Sequence, residues 1–159
     1  AAPVQPTYDM AALPRVDVGQ TIEFGVGKDN RALLSGWAGP EPGGIWSLGK
    51  NSAIGFRVHC EPAVCNSGHP AVYLEAEPFA IKTHPQQVVV FWMGTKRLSK
   101  VTLTSGKSVA VNLDGVTVKD GTPIILSLQL PNAVAPANVT NSKDTREIAF
   151  RIKSLRFAP

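Results

Sequence analysis

The sequence predicts an all-β chain folded as a two-sheet antiparallel β-sandwich. Three observations carry this. Apolar and polar residues alternate in roughly nine or ten short segments, about ten residues apart, as in the half-buried strands of a sandwich or barrel. No segment holds a sustained apolar stripe at the helical period. Gly (14) and Pro (13) are plentiful in the 159 residues, as a fold of many tight turns requires.

The segments run as follows. Residues 1–20 read as an extended lead-in anchored by Tyr8 and Leu13, and residues 21–159 as one domain. The start, AAPVQPTYDM, has the look of a mature end or of a cut from a larger protein. Residues 21–27 set Ile22, Phe24 and Val26 on one side, and Lys28, Asp29 and Asn30 signal a turn. A short extended piece, residues 31–34, leads into a loop rich in Pro and Gly. Ile54, Phe56 and Val58 then point inward, as do Val72, Leu74 and Ala76, with Tyr73, Glu75 and Glu77 opposite them. VVVFWM, residues 88–93, is the most apolar run and reads as a central strand. Gly94 and Thr95 turn the chain into residues 96–103. Val109, Val111 and Leu113 continue the alternation; Asp114-Gly115 and Asp120-Gly121 are turns; Ile124, Leu126, Leu128 and Leu130 form a clean strand. Residues 131–143 make a polar crossing between sheets. In the last strand Ile148, Phe150 and Ile152 alternate, then the pattern slips to Leu155 and Phe157, which marks a β-bulge near Lys153 and Ser154.

A hydrophobic fraction of 43% supplies a core and rules out a disordered chain. No apolar run approaches the roughly 20 residues of a membrane-spanning helix. The net charge of +4 comes from scattered Lys and Arg. That disfavours nucleic acid, which needs a clustered basic face, and is compatible with an acidic glycan or an anionic surface. Cys60 and Cys65 lie close enough to be bridged across a loop, which implies an oxidising compartment. The alternatives are a zinc site with His59 and His69, or two free thiols.

The stretch SGWAGPEPGGIWS, residues 35–47, is the candidate functional surface. It places Trp37, Glu41 and Trp46 in a loop that Pro and Gly keep out of any helix. Flat rings beside an acceptor suit a sugar, which offers apolar C–H faces and hydroxyl edges. The competing reading makes both indoles core plugs. Trp46 is the one expected to turn inward, drawn by Ile45 and the strand that follows. Asp144 and Arg146 precede the last strand, either as a structural ion pair or as ligand contacts close to Glu41.

No catalytic constellation stands out. Ser67, His84 and Asp144 can be written as a triad, but no nucleophile elbow accompanies them. Glu75 and Glu77 project side by side from one strand and would not flank a glycosidic bond. No cofactor or metal is implied.

Three motifs give a family resemblance: LSGWAGPEPGGIWS (34–47), EAEPFAIKTHPQQVVVFWMG (75–94) and LQLPNAVAPANVTNSKDTREIAFRIKSLRF (128–157). In this order they resemble a β-sandwich domain of bacterial cell-surface proteins, often found behind membrane-embedded glycosyltransferases and phosphoglycerol-transferase-like enzymes. The first motif there has the form G-W-x-x-P-E-x-W-G-x-W-S, and Gly43 stands here in place of one tryptophan. The resemblance implies a jelly-roll-like sandwich, similar to carbohydrate-binding modules, on the outer side of the cytoplasmic membrane, periplasmic or at the cell surface. The expected function is a non-catalytic glycan-binding accessory module whose partners are a polysaccharide or oligosaccharide and a membrane-embedded enzyme. The alternative is a domain that docks on such an enzyme without binding sugar.

Overall fold

In the computed structural model, which describes residues 2–4, 7–65 and 68–159, two sheets pack face to face around one core. Ser67 lies outside the described residues. The strands in chain order are β1 (Arg15–Asp17), β2 (Thr21–Glu23), β3 (Leu33–Ser35), β4 (Ile45–Trp46), β5 (Asn51–His59), β6 (Ala71–Pro78), β7 (Gln87–Met93), β8 (Lys96–Leu103), β9 (Lys107–Asn112), β10 (Pro123–Gln129) and β11 (Phe150–Ala158). One sheet, sheet A, has the order β1-β5-β10-β7-β8, with β3 also on β5. The other, sheet B, has the order β2-β11-β6-β9, with β4 also on β11. Apart from the β7–β8 hairpin within sheet A, successive strands cross between sheets in a jelly-roll-like path. Helix among the described residues is confined to single turns, including α1 (Pro62–Cys65) and α2 (Pro136–Val139).

The alternation in the sequence becomes the core directly. Ile54, Phe56 and Val58 of β5 and Ile124, Leu126 and Leu128 of β10 face Val72, Leu74, Ile152, Leu155 and Phe157 from sheet B, all nearly or fully buried. Phe56 and Phe157 meet across the sandwich at 6.1 Å between ring centroids. The register of β11 on β6 shifts between Ile152 and Ser154, so Lys153 is the bulge. That shift lets Ile152 and Leu155 both point inward.

The expectation of purely antiparallel sheets needs one correction. β1 pairs with β5 in parallel, Val16 opposite Val58, so sheet A is mixed. The segment before residue 21, expected as an extended lead-in, holds a 3-10 turn at Met10–Ala12 and strand β1, and it is docked. Leu13 and Val16 are buried, and Tyr8 Oη shares a hydrogen bond with Ser35 Oγ at 2.7 Å. Three residues carry too little alternation to announce a strand.

Cys60 and Cys65 form a disulfide across α1, with Cα atoms 5.7 Å apart. This takes up the thiolates that a zinc site would need. His59 instead pairs through Nδ1 with Asp120 Oδ1 at 2.9 Å, and Asp120 also accepts the Cys60 amide at 3.1 Å. Closing so short a loop contributes on the order of 2 kcal/mol in the chain-entropy account. Thiol labelling of the unfolded, unreduced protein is expected to find no free cysteine; two labelled thiols would contradict the bridge.

Candidate functional site

The tryptophan loop is a β-hairpin. The Ala38 amide donates to Trp46 O at 2.9 Å and the Leu48 amide to Gly36 O at 2.8 Å, while Trp37 lies opposite Ser47. Glu41 and Gly44 close the tip with reciprocal amide-to-carbonyl bonds of 3.1 and 3.3 Å. Pro42-Gly43 between them, with Gly43 at φ 81°, fits a type II turn, which takes Pro first and a left-handed Gly second. Gly44 is held by space as well. A Cβ there would lie 2.7 Å from Ile152 O and 2.8 Å from Arg151 Cγ, so the hairpin rests on the β11 backbone and the stem of Arg151.

The hairpin separates its two indoles. Trp37 packs against the core. It meets Phe150 edge-to-face at 5.7 Å and donates Nε1–H to Ala53 O at 2.9 Å. Its polar handle is thus used internally. Trp46 follows the buried Ile45 and precedes the fully buried Ser47, so alternation turns it outward on sheet B. The Arg151 guanidinium lies 5.7 Å from its ring centroid. The inward expectation for Trp46 was the wrong way round. Ile45 does enter the core, and for that reason its neighbour cannot.

Two ionic groups adjoin the hairpin, the first beside Trp46. Arg151 donates from Nη2 to Glu77 Oε1 at 2.9 Å, and Lys153 Nζ reaches Glu77 Oε2 at 3.0 Å. Arg151 Nε is buried without a partner. The second group does bring Asp144 and Arg146 to the hairpin tip. Arg146 binds Asp144 in a fork, Nε to Oδ1 at 3.0 Å and Nη2 to Oδ2 at 2.9 Å, and sends Nη1 to Glu41 Oε2 at 3.3 Å. The Asp144 carboxylate, and after it Glu41, raise Arg146 above the ordinary guanidinium value. Most of its donors are spent, so Arg146 braces the tip.

A cleft of 310 Å³ opens beside the hairpin, lined among others by Thr21, Glu23, Lys28, Gly43, Lys153 and Ser154. It lies where Gly43 replaces the tryptophan of the resembled motif, and Lys153 joins it to the Glu77 pair. Arg151 was not singled out from the sequence, Lys153 was named only at the β-bulge and Glu77 only as an acid beside Glu75; none was read as part of this surface. Their only signal was their polar positions in alternating strands, and nothing local shows that β4, β11 and β6 are neighbours. Of the written triad, Ser67 lies outside the described residues and Asp144 is bound to Arg146. No group of three His, Cys, Asp or Glu suited to a metal ion occurs among the described residues.

The fold is a two-sheet β-sandwich, and its candidate surface site is built by one hairpin and the last strand. No family model matches the chain, and no curated protein matches it. Solved structures do resemble it. The CBM36-1 domain of a multidomain xylanase from the hindgut metagenome of Trinervitermes trinervoides aligns over 88% of this chain and 96% of its own, at 10% identity and a TM-score of 0.43. A carbohydrate-binding module CBM36 in complex with calcium and xylotriose aligns over 87% and 99%, at 10% identity and a TM-score of 0.42. An acetyl xylan esterase from the rumen bacterium Butyrivibrio proteoclasticus aligns over 88% of this chain and 33% of its own, at 11% identity and a TM-score of 0.48.

The ion pairs set a pH dependence. The hydrogen bond from Lys153, helped by the Arg151 charge, holds Glu77 below the usual carboxylate range. The Arg146 fork does the same for Asp144. Both carboxyls therefore bind protons more weakly folded than unfolded. Their contribution is complete above the unfolded range, about pH 4–5, and is lost as pH falls through the lower folded values. Melting curves are expected to show Tm dropping below about pH 4.5, with a shallower drop for Glu77→Gln. An equally steep drop in that variant would mean that the Glu77 pairs do not hold in solution.

Proposed function

We propose that the chain is a non-catalytic carbohydrate-binding module acting outside the cytoplasm, with the hairpin side of sheet B as its binding surface. The observation that supports it is Trp46: an outward indole under a guanidinium, beside the Arg151–Glu77–Lys153 pairs. A pyranose laid against such a ring buries its C–H face and turns its hydroxyls to neighbouring polar groups. Arg151 keeps Nη1 without a partner among the described residues, and Glu77 keeps acceptor capacity on both oxygens. Glu41, Asp144 and Arg146 line the same edge and hold the hairpin tip in place. The disulfide supports an oxidising location, periplasmic or cell-surface. The three motifs support a setting beside a membrane-embedded transferase, in the same chain or in a complex.

Titration against a panel of immobilised neutral polysaccharides tests this. Trp46→Ala is expected to weaken binding at least tenfold with little change in Tm. Trp37→Ala is expected to cost about 3 kcal/mol of stability, as for a core aromatic. If the panel yields no ligand, or Trp46→Ala binds as well as the parent, a domain that docks on a membrane enzyme without sugar becomes the better reading.

A further inference from the structure

The opposite side of the sandwich carries a second aromatic surface, far from the hairpin in the sheet order. On β7, Val89 and Phe91 enter the core, so Val90 and Trp92 point out from sheet A. Trp92 lies opposite Ser127 on β10 and opposite Arg97 on β8. Val90 lies opposite Gln129 and Lys100. The Trp92 indole donates Nε1–H to Gln129 Oε1 at 2.7 Å, which fixes the plane of the ring. Trp37 and Trp46 each have a ring or a guanidinium packed on the indole; no such partner covers Trp92 among the described residues.

The charge around this ring is one-sided. Arg97 and Lys100 are exposed and, unlike the cations of sheet B, form no ion pair among the described residues. A cleft of 290 Å³ continues the surface past Val90 and Gln129 to Asn51 and Lys50. Lys50 donates to Ala133 O at 3.1 Å and forms a loose ion pair with Glu147 at 3.9 Å. An indole flanked by unpaired cations fits a polymer that has both an apolar face and anionic groups. We propose that this face of sheet A binds an acidic polysaccharide: pyranose rings lie along Trp92 and Val90, about 7 Å apart on the strand, and carboxylates or other anionic substituents meet Arg97 and Lys100. A membrane surface fits less well, because Trp92 and Val90 are half-buried and offer no protruding apolar anchor. Nucleic acid fits less well, because two cations make no track along a phosphate backbone and the Cys60–Cys65 bridge belongs to an oxidising compartment.

The test uses the whole chain and four probes: polygalacturonate, alginate, single-stranded oligothymidylate, and vesicles of phosphatidylglycerol and phosphatidylcholine, with dextran as the neutral control. At least one acidic polysaccharide is expected to bind ten times more tightly than dextran, with affinity falling as salt rises. The double variant Arg97→Gln/Lys100→Gln is expected to lose at least tenfold at unchanged Tm, since both side chains are exposed. Trp92→Ala is expected to lose as much, and Trp92→Tyr to recover part of it. Trp46→Ala is expected to leave this binding intact, which separates this surface from the hairpin site. The proposal is overturned if neither acidic polysaccharide binds better than dextran, if the double variant binds like the parent, or if the oligonucleotide or the vesicles bind more tightly than both polysaccharides.

Discussion

The Ser47 hydroxyl joins the hairpin to the rest of the sandwich. It is fully buried and accepts the amides of Ala149 and Phe150 at 3.0 and 3.2 Å, while its own amide donates to Phe150 O at 2.8 Å. Buried amides left without an acceptor cost about 1–3 kcal/mol each, so this one oxygen meets a demand that sheet pairing alone does not. It also sets the phase of the hairpin. With Ser47 turned inward, Ile45 must be inward and Trp46 outward. Trp37, opposite Ser47, is brought against Phe150. Glu41 is carried to the tip, where Arg146 reaches it.

The two outer faces of the sandwich are built on different principles. On sheet B the cations Arg151 and Lys153 share the Glu77 carboxylate, and the hairpin tip is held by the Arg146 fork. Partly exposed pairs of this kind add little stability singly, but they fix side-chain positions around Trp46. On sheet A the ring of Trp92 is fixed by a neutral hydrogen bond, and the nearby Arg97 and Lys100 form no ion pair among the described residues. The first arrangement favours oriented polar contacts; the second favours long-range attraction of an anion.

The strands were legible because period-2 alternation survives in most of the long strands of the sandwich; β8 breaks it at Leu98, where its register on β7 shifts. Even the bulge at Lys153 showed as a slip in that period. β1 was not legible, since three residues hold too little pattern and parallel pairing leaves no hairpin turn beside it. For the site, the clustering of Trp37, Glu41 and Trp46 was legible from their spacing, but the direction of each ring was not. That direction depends on Ser47 meeting a bond partner a hundred residues later in the chain. The same distance hid Arg151, Glu77 and Lys153. Each looks like an ordinary solvent-facing residue until β4, β11 and β6 are placed side by side. Cys60 and Cys65 needed no such placement, because both lie in one short loop.

The dependence on Ser47 is tested most directly by native-state hydrogen exchange in Ser47→Ala. Loss of the shared acceptor predicts that the Ala149 and Phe150 amides exchange at least tenfold faster while amides of the β5–β10 ladder keep their protection, with a stability loss of about 1–3 kcal/mol. Unchanged protection at Ala149 and Phe150 would show that β11 holds its place without the hairpin, and would contradict the account.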